Sequence, residues 1–235
     1  AINIDAYLRR INYTGSLEPT AETLRALQVA HLLAVPFENL SIHAGEPIVL
    51  DDEALFEKIV TRTRGGFCYE LNGLFAALLR HLGFTVSMLS AGAVSADGSF
   101  GPPFDHMALM VTLDERWLVD VGFGDSFREP LRLDTRAVQE QRVGAYRIDD
   151  EAGVLIVKER ERHGTWRGQY RFTLTPHVYA DYAGMCHYHQ TSPQSHFTRQ
   201  RVCSRATMTG RVTVSGTRLI SSTFTAPCRH LFAPP

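Results

Sequence analysis

Three residues in the order cysteine, histidine, aspartate carry the chemistry open to this chain of 235 residues. Cys68 could be a nucleophile, His106 the base that takes or holds its proton, and Asp120 the carboxylate that fixes the tautomer of that base. A free cysteine is commonly buried and inert, so residue type alone says little. Position says more. Cys68 follows Arg64-Gly65-Gly66-Phe67 and opens a pattern in which Leu71, Leu74, Phe75, Leu78, Leu79 and Leu82 form one apolar helix face. Gly83 stands where a left-handed cap is expected, so the spacing predicts a helix from about Cys68 to about Leu82. The unpaired N–H groups and dipole of a helix start favour negative charge, which predicts a depressed thiol pKa for Cys68.

The base and its carboxylate must come from a hairpin. His106 to Leu113 and Arg116 to Val121 read as two strands around Asp114-Glu115. A two-residue loop would pair 106 with 123 and put Asp120 on the face opposite His106. A three-residue loop over 113–115 pairs 108 with 120 and leaves His106 and Asp120 as diagonal neighbours on one face. A triad therefore requires the second register. Asp120 sits between Val119 and Val121, where a charge is costly to bury unless paired. Gly122-Phe123-Gly124 follows, two glycines that let backbone approach a ligand while the ring forms a pocket wall.

Around these residues the chain changes character once. Up to about residue 82 it reads as helical. Pro19-Thr20 opens a segment whose Leu24, Leu27, Ala30 and His31 share a face and which ends before Pro36; Asp51 and Asp52 can cap the next, with Leu55, Phe56, Ile59 and Val60 as its stripe. Between them lies Val35-Pro36-Phe37-Glu38-Asn39-Leu40-Ser41-Ile42-His43, too apolar for a solvated turn. From Thr85 the period is two. Val154 to Arg160 turns at His163-Gly164 and returns with Trp166, Tyr170, Phe172 and Leu174 on one face and Arg167, Gln169 and Arg171 on the other. Arg211 to Ile220 reads as a further hairpin.

Composition narrows the partners. Hydrophobic residues are 44%, charged residues 21% and the formal net charge is -1, so no nucleic-acid footprint is visible. No segment has the length of a membrane span or the pattern of a signal peptide, and a soluble, cytoplasmic protein, a monomer or small homo-oligomer, is expected. The four cysteines, Cys68, Cys186, Cys203 and Cys228, lack disulfide-scaffold or zinc-ribbon spacing and are expected to be reduced.

Val35-Pro36-Phe37-Glu38-Asn39-Leu40, Arg64-Gly65-Gly66-Phe67-Cys68, His106, Val119-Asp120-Val121-Gly122-Phe123-Gly124 and Gln190-Thr191-Ser192-Pro193 with Ser195 and Phe197 together resemble the arylamine N-acetyltransferases. The resemblance implies an α+β fold: a helical bundle over 1–84 carrying the nucleophile, a central antiparallel β-barrel over 85–190 carrying His106 and Asp120, and an α/β lid over 191–235, expected to be abbreviated because the chain stops soon after Cys228 to Phe232. It implies a ping-pong reaction without a metal, in which Cys68 takes acetyl from acetyl-CoA, releases CoA, and passes the acetyl to an arylamine, arylhydrazine or heterocyclic amine. Phe37 and Phe123 match positions lining the substrate pocket, Tyr188 and Ser195 the neighbourhood that contacts CoA, and Arg64 with Glu38 a structural ion pair.

Two other readings compete. The same Cys-His-Asp order serves transglutaminase-like and papain-like amidases or transamidases. Cys186, His187, His189, His196 and Cys203 could hold zinc, although a strand over 186–189 would turn Cys186 away from both histidines.

Overall fold

The computed structural model describes residues 2–161, 163–224 and the strand 226–232. The side chain of Cys228 lies outside the described residues, as do residues 233–235 at the end of the expected lid.

The first part contains α1 (Ile4–Arg10), α2 (Ala21–Ala34), β1 (Phe37–Glu38), α3 (Leu40–Ala44), α4 (Asp52–Phe56) and α5 (Cys68–His81). Their ends follow the predicted chemistry. The Thr20 hydroxyl accepts from Thr23 N at the start of α2, which stops at Val35 before Pro36. Asp51 accepts from Glu53 N and Ala54 N at the start of α4. After Phe56 the helix widens into a π-turn over Glu57–Thr61, which the apolar spacing did not foretell. Gly83 adopts φ +90, the left-handed cap expected after α5.

Helix α5 differs from its prediction in one respect that matters for the site. Its spacing predicts one apolar face, yet every residue from Cys68 to Leu79 is buried. Helices α1, α4 and α6 (Tyr179–Thr191) cover part of it, and strands β2 (Thr85–Ala93) and β3 (His106–Thr112) cover the rest. Its polar residues must then find partners inside the protein. Glu70 does so with Lys58 Nζ at 2.6 Å and Phe67 N at 3.1 Å, and Asn72 does so within the site.

After β3 come β4 (Arg116–Val119), β5 (Leu131–Arg132), β6 (Gln139–Gln141), β7 (Gly144–Glu151), β8 (Val154–Arg160) and β9 (Trp166–His177). Strands β2 to β9 form one antiparallel sheet in the order β5-β4-β3-β2-β9-β8-β7-β6, curled into a nearly closed barrel. Two glutamine side chains stand in for strand pairing across the seam. Gln139 accepts from Arg132 N at 2.8 Å and donates to Arg132 O at 3.0 Å, and Gln141 bonds Arg128 N, Glu129 N and Glu129 O at 3.0, 3.1 and 2.7 Å. The ends of the sheet are thus paired rather than left as exposed edges. Leu89, Leu118, Phe127, Tyr146 and Tyr170 are among its interior residues. Gln169, expected on the outer face, is buried, because a bulge beside Val157 and Lys158 shifts it out of alternation.

The last part holds α7 (His196–Arg199), β10 (Val202–Thr207), β11 (Gly210–Ser215), β12 (Arg218–Thr223) and β13 (Ala226–Phe232). Here β1 returns: the second sheet runs β1-β10-β11-β12-β13, with Phe37 opposite Ser204 and Glu38 opposite Cys203. The apolar stretch after α2 is therefore the edge of the C-terminal sheet, which ties the two ends of the chain together. Among the described residues no helix is long and apolar enough to cross a membrane.

Two tests follow from this packing. Glu38 is 2% exposed, paired with Arg64 at 3.0 Å and accepting from Leu40 N at 2.6 Å. Removing only the cation leaves a buried unpaired carboxylate, so Arg64→Met is expected to cost about 3 kcal/mol in urea unfolding, and adding Glu38→Gln to recover more than half of it. His31 is fully buried on α2 with Tyr7 Oη at 3.1 Å from Nδ1; burial, and then the Arg10 cation, push its pKa down from 6.5 to about 3. Between those values the unfolded chain binds a proton that the folded one refuses, so this contribution to stability is lost as pH falls from 6.5 toward 3. His31→Gln is expected to flatten the acid limb of the stability curve by up to about 1.4 kcal/mol per pH unit, measured by urea unfolding at stepped pH.

Candidate active site

The approach to Cys68 is built from glycines with no room for side chains. A Cβ on Gly65 would lie 2.0 Å from the Pro36 carbonyl oxygen. This closeness lets Glu38 N donate to Gly66 O at 2.9 Å and brings the Arg64 guanidinium onto Glu38. Arg10 fixes the same region from behind, donating to Ala34 O, Ile59 O and Arg64 O at 3.0, 2.9 and 3.1 Å. Glu70, in the third helical position, reaches back to Phe67 N. Cys68 is then the first residue of α5, where its N–H has no acceptor within the helix.

The hairpin adopts the register a triad requires. Leu109 pairs with Val119 and Thr112 with Arg116, so the loop spans 113–115 and position 108 faces 120. His106 Nε2 lies 2.7 Å from Asp120 Oδ2. The other oxygen, Oδ1, accepts from Asn72 Nδ2 at 2.9 Å and Gly122 N at 2.8 Å. Asn72 also donates to Met107 O at 2.6 Å and accepts from Val121 N at 2.9 Å, so one amide joins both strands. Asn72 stands four residues after Cys68, on the same face of α5. Sequence reasoning missed it, though a polar residue one turn after Cys68 in an otherwise apolar helix was the available signal. Gly122 brings its strand end onto the helix: a Cβ there would be 2.8 Å from Cys68 Cα.

With Nε2 directed at Asp120, Nδ1 is the remaining ring nitrogen of His106, and His106 and Cys68 line one cavity of ≈ 430 Å³. Phe37, Phe123, His196 and Phe197 form its walls. The Phe37 and Phe197 ring centroids are 6.1 Å apart, and Phe123 packs edge-on against His106 at 5.2 Å. A larger cleft of ≈ 730 Å³, walled by Arg142, Glu159, Arg167 and Arg211 among others, contains none of Cys68, His106 and Asp120.

The thiol does not follow the helix-start argument. Cys68 is 3% exposed, and burial pushes its pKa well up; the Met107 backbone N–H works the other way, while Asp105, Cys186 and Asp120 add to the rise. Desolvation of a thiolate outweighs the partial charge of one helix turn. An isolated thiolate is thus disfavoured, and ionisation depends on where the proton goes.

The remaining sequence-predicted residues are placed as follows. Phe37 and Phe123 line the cavity, whereas Tyr188 and Ser195 do not. Tyr188 is half-buried on α6 with its ring 5.4 Å from His189, and the Ser195 hydroxyl, 2% exposed, meets His189 Nδ1 at 3.0 Å and accepts from Phe197 N at 3.2 Å. The side chains of this stretch that reach the cavity are His196, Phe197 and Gln200. Cys186 to His189 lies on α6 rather than on a strand, which buries Cys186 and His189 together one helical turn apart and leaves His187 exposed. Among the described residues no cluster of three His, Cys, Asp or Glu side chains could hold a metal ion, which removes the ligand set of a zinc module.

A family model described as N-acetyltransferase matches residues 20–228. The arylamine N-acetyltransferase / N-hydroxyarylamine O-acetyltransferase of Salmonella typhimurium is 37% identical over 204 residues, 86% of this chain and 72% of that protein. The arylamine N-acetyltransferase of Mycolicibacterium smegmatis is 38% identical over 226 residues, 93% of this chain and 82% of its own length. The solved arylamine N-acetyltransferase of M. tuberculosis superposes with a TM-score of 0.91 at 34% identity, over 97% of this chain and 87% of that one. That of Mycobacterium marinum in complex with CoA gives 0.90 at 34% identity, over 98% and 87%. These matches do not favour a thiol amidase or transamidase. Sequence and fold agree over nearly all of the described chain, and the protein belongs to the arylamine N-acetyltransferase family.

Proposed function

We propose that this protein moves acetyl from acetyl-CoA, through a thioester on Cys68, to the nitrogen of an arylamine, arylhydrazine or heterocyclic amine. The observation that carries the reading is the 2.7 Å bond between His106 and Asp120 at the wall of the cavity that also holds Cys68. In the first step Cys68 Sγ attacks the acetyl carbonyl carbon as its proton passes to His106 Nδ1. The tetrahedral intermediate then breaks its bond to the CoA sulfur, which leaves with that proton as free CoA. In the second step the amine nitrogen attacks the acetyl-cysteine carbonyl and gives a proton to His106, and Cys68 is released as the thiol. Asp120 holds Nε2–H throughout and balances the imidazolium formed in each half-reaction. The Cys68 backbone N–H, without an intrahelical acceptor, is available to the developing oxyanion.

The cavity supports a flat acceptor, since Phe37, Phe123 and Phe197 offer ring faces and edges rather than polar partners. The M. marinum relative was solved with CoA, which supports CoA as the leaving product. In the stretch that resemblance associates with CoA, His196 and Gln200 reach the cavity, so the reading gives donor contact to them rather than to Tyr188 and Ser195. Residues 1–84 then supply the nucleophile, 85–190 the base and carboxylate, and the part from 191 onward closes the cavity.

Intact mass after mixing the protein with acetyl-CoA and no amine tests the reading. One acetyl group on the native chain, absent from Cys68→Ala and discharged by an aromatic amine, is expected; a folded, alkylatable protein that gains no acetyl contradicts it. Asn72→Ala removes one of the three donors to Asp120 and frees the Val121 end of its loop. The burst of free CoA is expected to slow by about tenfold or more, the scale of one hydrogen bond to a charge, while Cys68 remains the acetylated residue.

A further inference from the structure

Among the described residues the histidines of α6 and α7 belong to no group that could hold a metal ion, and one of them is more tightly held than a packing residue needs to be. His189 is buried between two polar partners. Nε2 lies 3.2 Å from Asp105 Oδ1, and Nδ1 lies 3.0 Å from Ser195 Oγ. Serine, histidine and aspartate here repeat the order of a hydrolase triad, but this one cannot act as one. Ser195 is enclosed, caps α7, and its oxygen already accepts from Phe197 N. The Asp105 carboxylate can only accept, so Nε2 carries a proton toward it, which leaves Nδ1 to accept from the Ser195 hydroxyl.

One partner of His189 lines the catalytic cavity and the other caps a helix that does. Asp105 precedes His106 and lines the cavity with it; its other oxygen accepts from Ala93 N at 3.2 Å, and its backbone carbonyl accepts from Tyr69 Oη at 3.2 Å. Ser195 begins the helix that carries His196 and Phe197 to the lining of the cavity, and the Phe197 ring stands edge-on to the His189 imidazole at 5.1 Å. We propose that His189 is a positioning residue for acetyl transfer: its Nε2 side holds Asp105, and through it the start of the strand bearing the base, while its Nδ1 side holds α7 and with it the Phe197 ring against which a flat acceptor packs. Asp105 needs that holding. Burial opposes its charge, and the His189 hydrogen bond leads the interactions that still keep its carboxyl below the usual range, while its negative charge is one of those raising the Cys68 thiol. A carboxylate released from His189 would face Cys68 less compensated and no longer anchored beside His106.

The inference rests on the acetyl-transfer reading for its kinetic half only, because alkylation of Cys68 needs no acetyl-CoA. A glutamine amide can reach the position of Nε2, and an asparagine amide that of Nδ1, so the two functions separate. Cys68 alkylation by iodoacetamide, located by peptide mass, should be near native in His189→Gln. It should be about tenfold or more slower in His189→Asn and His189→Leu, on the scale of losing one hydrogen bond to a charge. With an arylamine as acceptor, KM should rise in His189→Gln and His189→Leu, which lose the Ser195 contact, and stay near native in His189→Asn. Thermal melts of all variants identify the temperature at which each is folded. Native alkylation and KM in folded His189→Leu, or an equal loss in all three variants that tracks melting temperature alone, would overturn the proposal. A native protein that transfers no acetyl while the alkylation pattern holds would sink the proposed function and leave the Asp105 anchor standing.

Discussion

A carboxylate with both oxygens buried must be neutralised, and the burial of Asp120 constrains everything around it. One oxygen takes His106; the other takes the Asn72 amide and the Gly122 N–H. Each partner imposes a condition on a different part of the chain. His106 requires a hairpin with a three-residue loop, Asn72 requires α5 to lie across the strand ends with one particular face inward, and Gly122 requires a residue without Cβ against the backbone of Cys68. Cys68 is carried into place by the same helix face that supplies Asn72. Cys68 and the amide that supports Asp120 are thus positioned by one rigid element, not by separate loops.

Much of this could be read from residue types and spacing, because the periodicities involved are local. The start of α5, its glycine cap, the hairpin at 113–115 and the alternation of β8 and β9 each need only a short window of sequence. Long-range closure was not legible in the same way. Nothing in Phe37-Glu38 announces that it pairs with Cys203-Ser204, and the glutamine seam of the barrel depends on strands far apart in the chain. Cys186 to His189, weighed on a strand only for the zinc reading, lies on a helix; four residues of mixed polarity carry no usable period, and the helix packs against α5. Gln169 broke alternation at a bulge, which a period-two reading cannot see. Asn72 was within reach, since a polar residue one turn after Cys68 in an apolar helix has to be satisfied by something.

The environment of Cys68 reverses the simplest expectation for a reactive cysteine and makes its chemistry conditional. At a helix start alone the thiol would be expected to lose its proton readily, but burial raises the thiol instead. In the proposed mechanism the thiolate forms together with an imidazolium on His106, whose charge Asp120 compensates, so the charge separated on ionisation stays within the cavity. In that mechanism the ion pair forms where the acyl carbonyl is seated. Asp105 is a second negative charge that raises the Cys68 thiol, and its carboxylate is hydrogen-bonded to His189.

The most direct test of this account is the pH titration of thiolate ultraviolet absorbance in the native protein beside His106→Gln, with Cys68→Ala as the blank for the other cysteines. The account predicts that Cys68 ionises at lower pH in the native protein than in His106→Gln, where burial acts on the thiol with no imidazole to take its proton. Coincident Cys68 titrations with and without His106 would contradict it, since the sulfur would then keep or lose its proton without regard to the base.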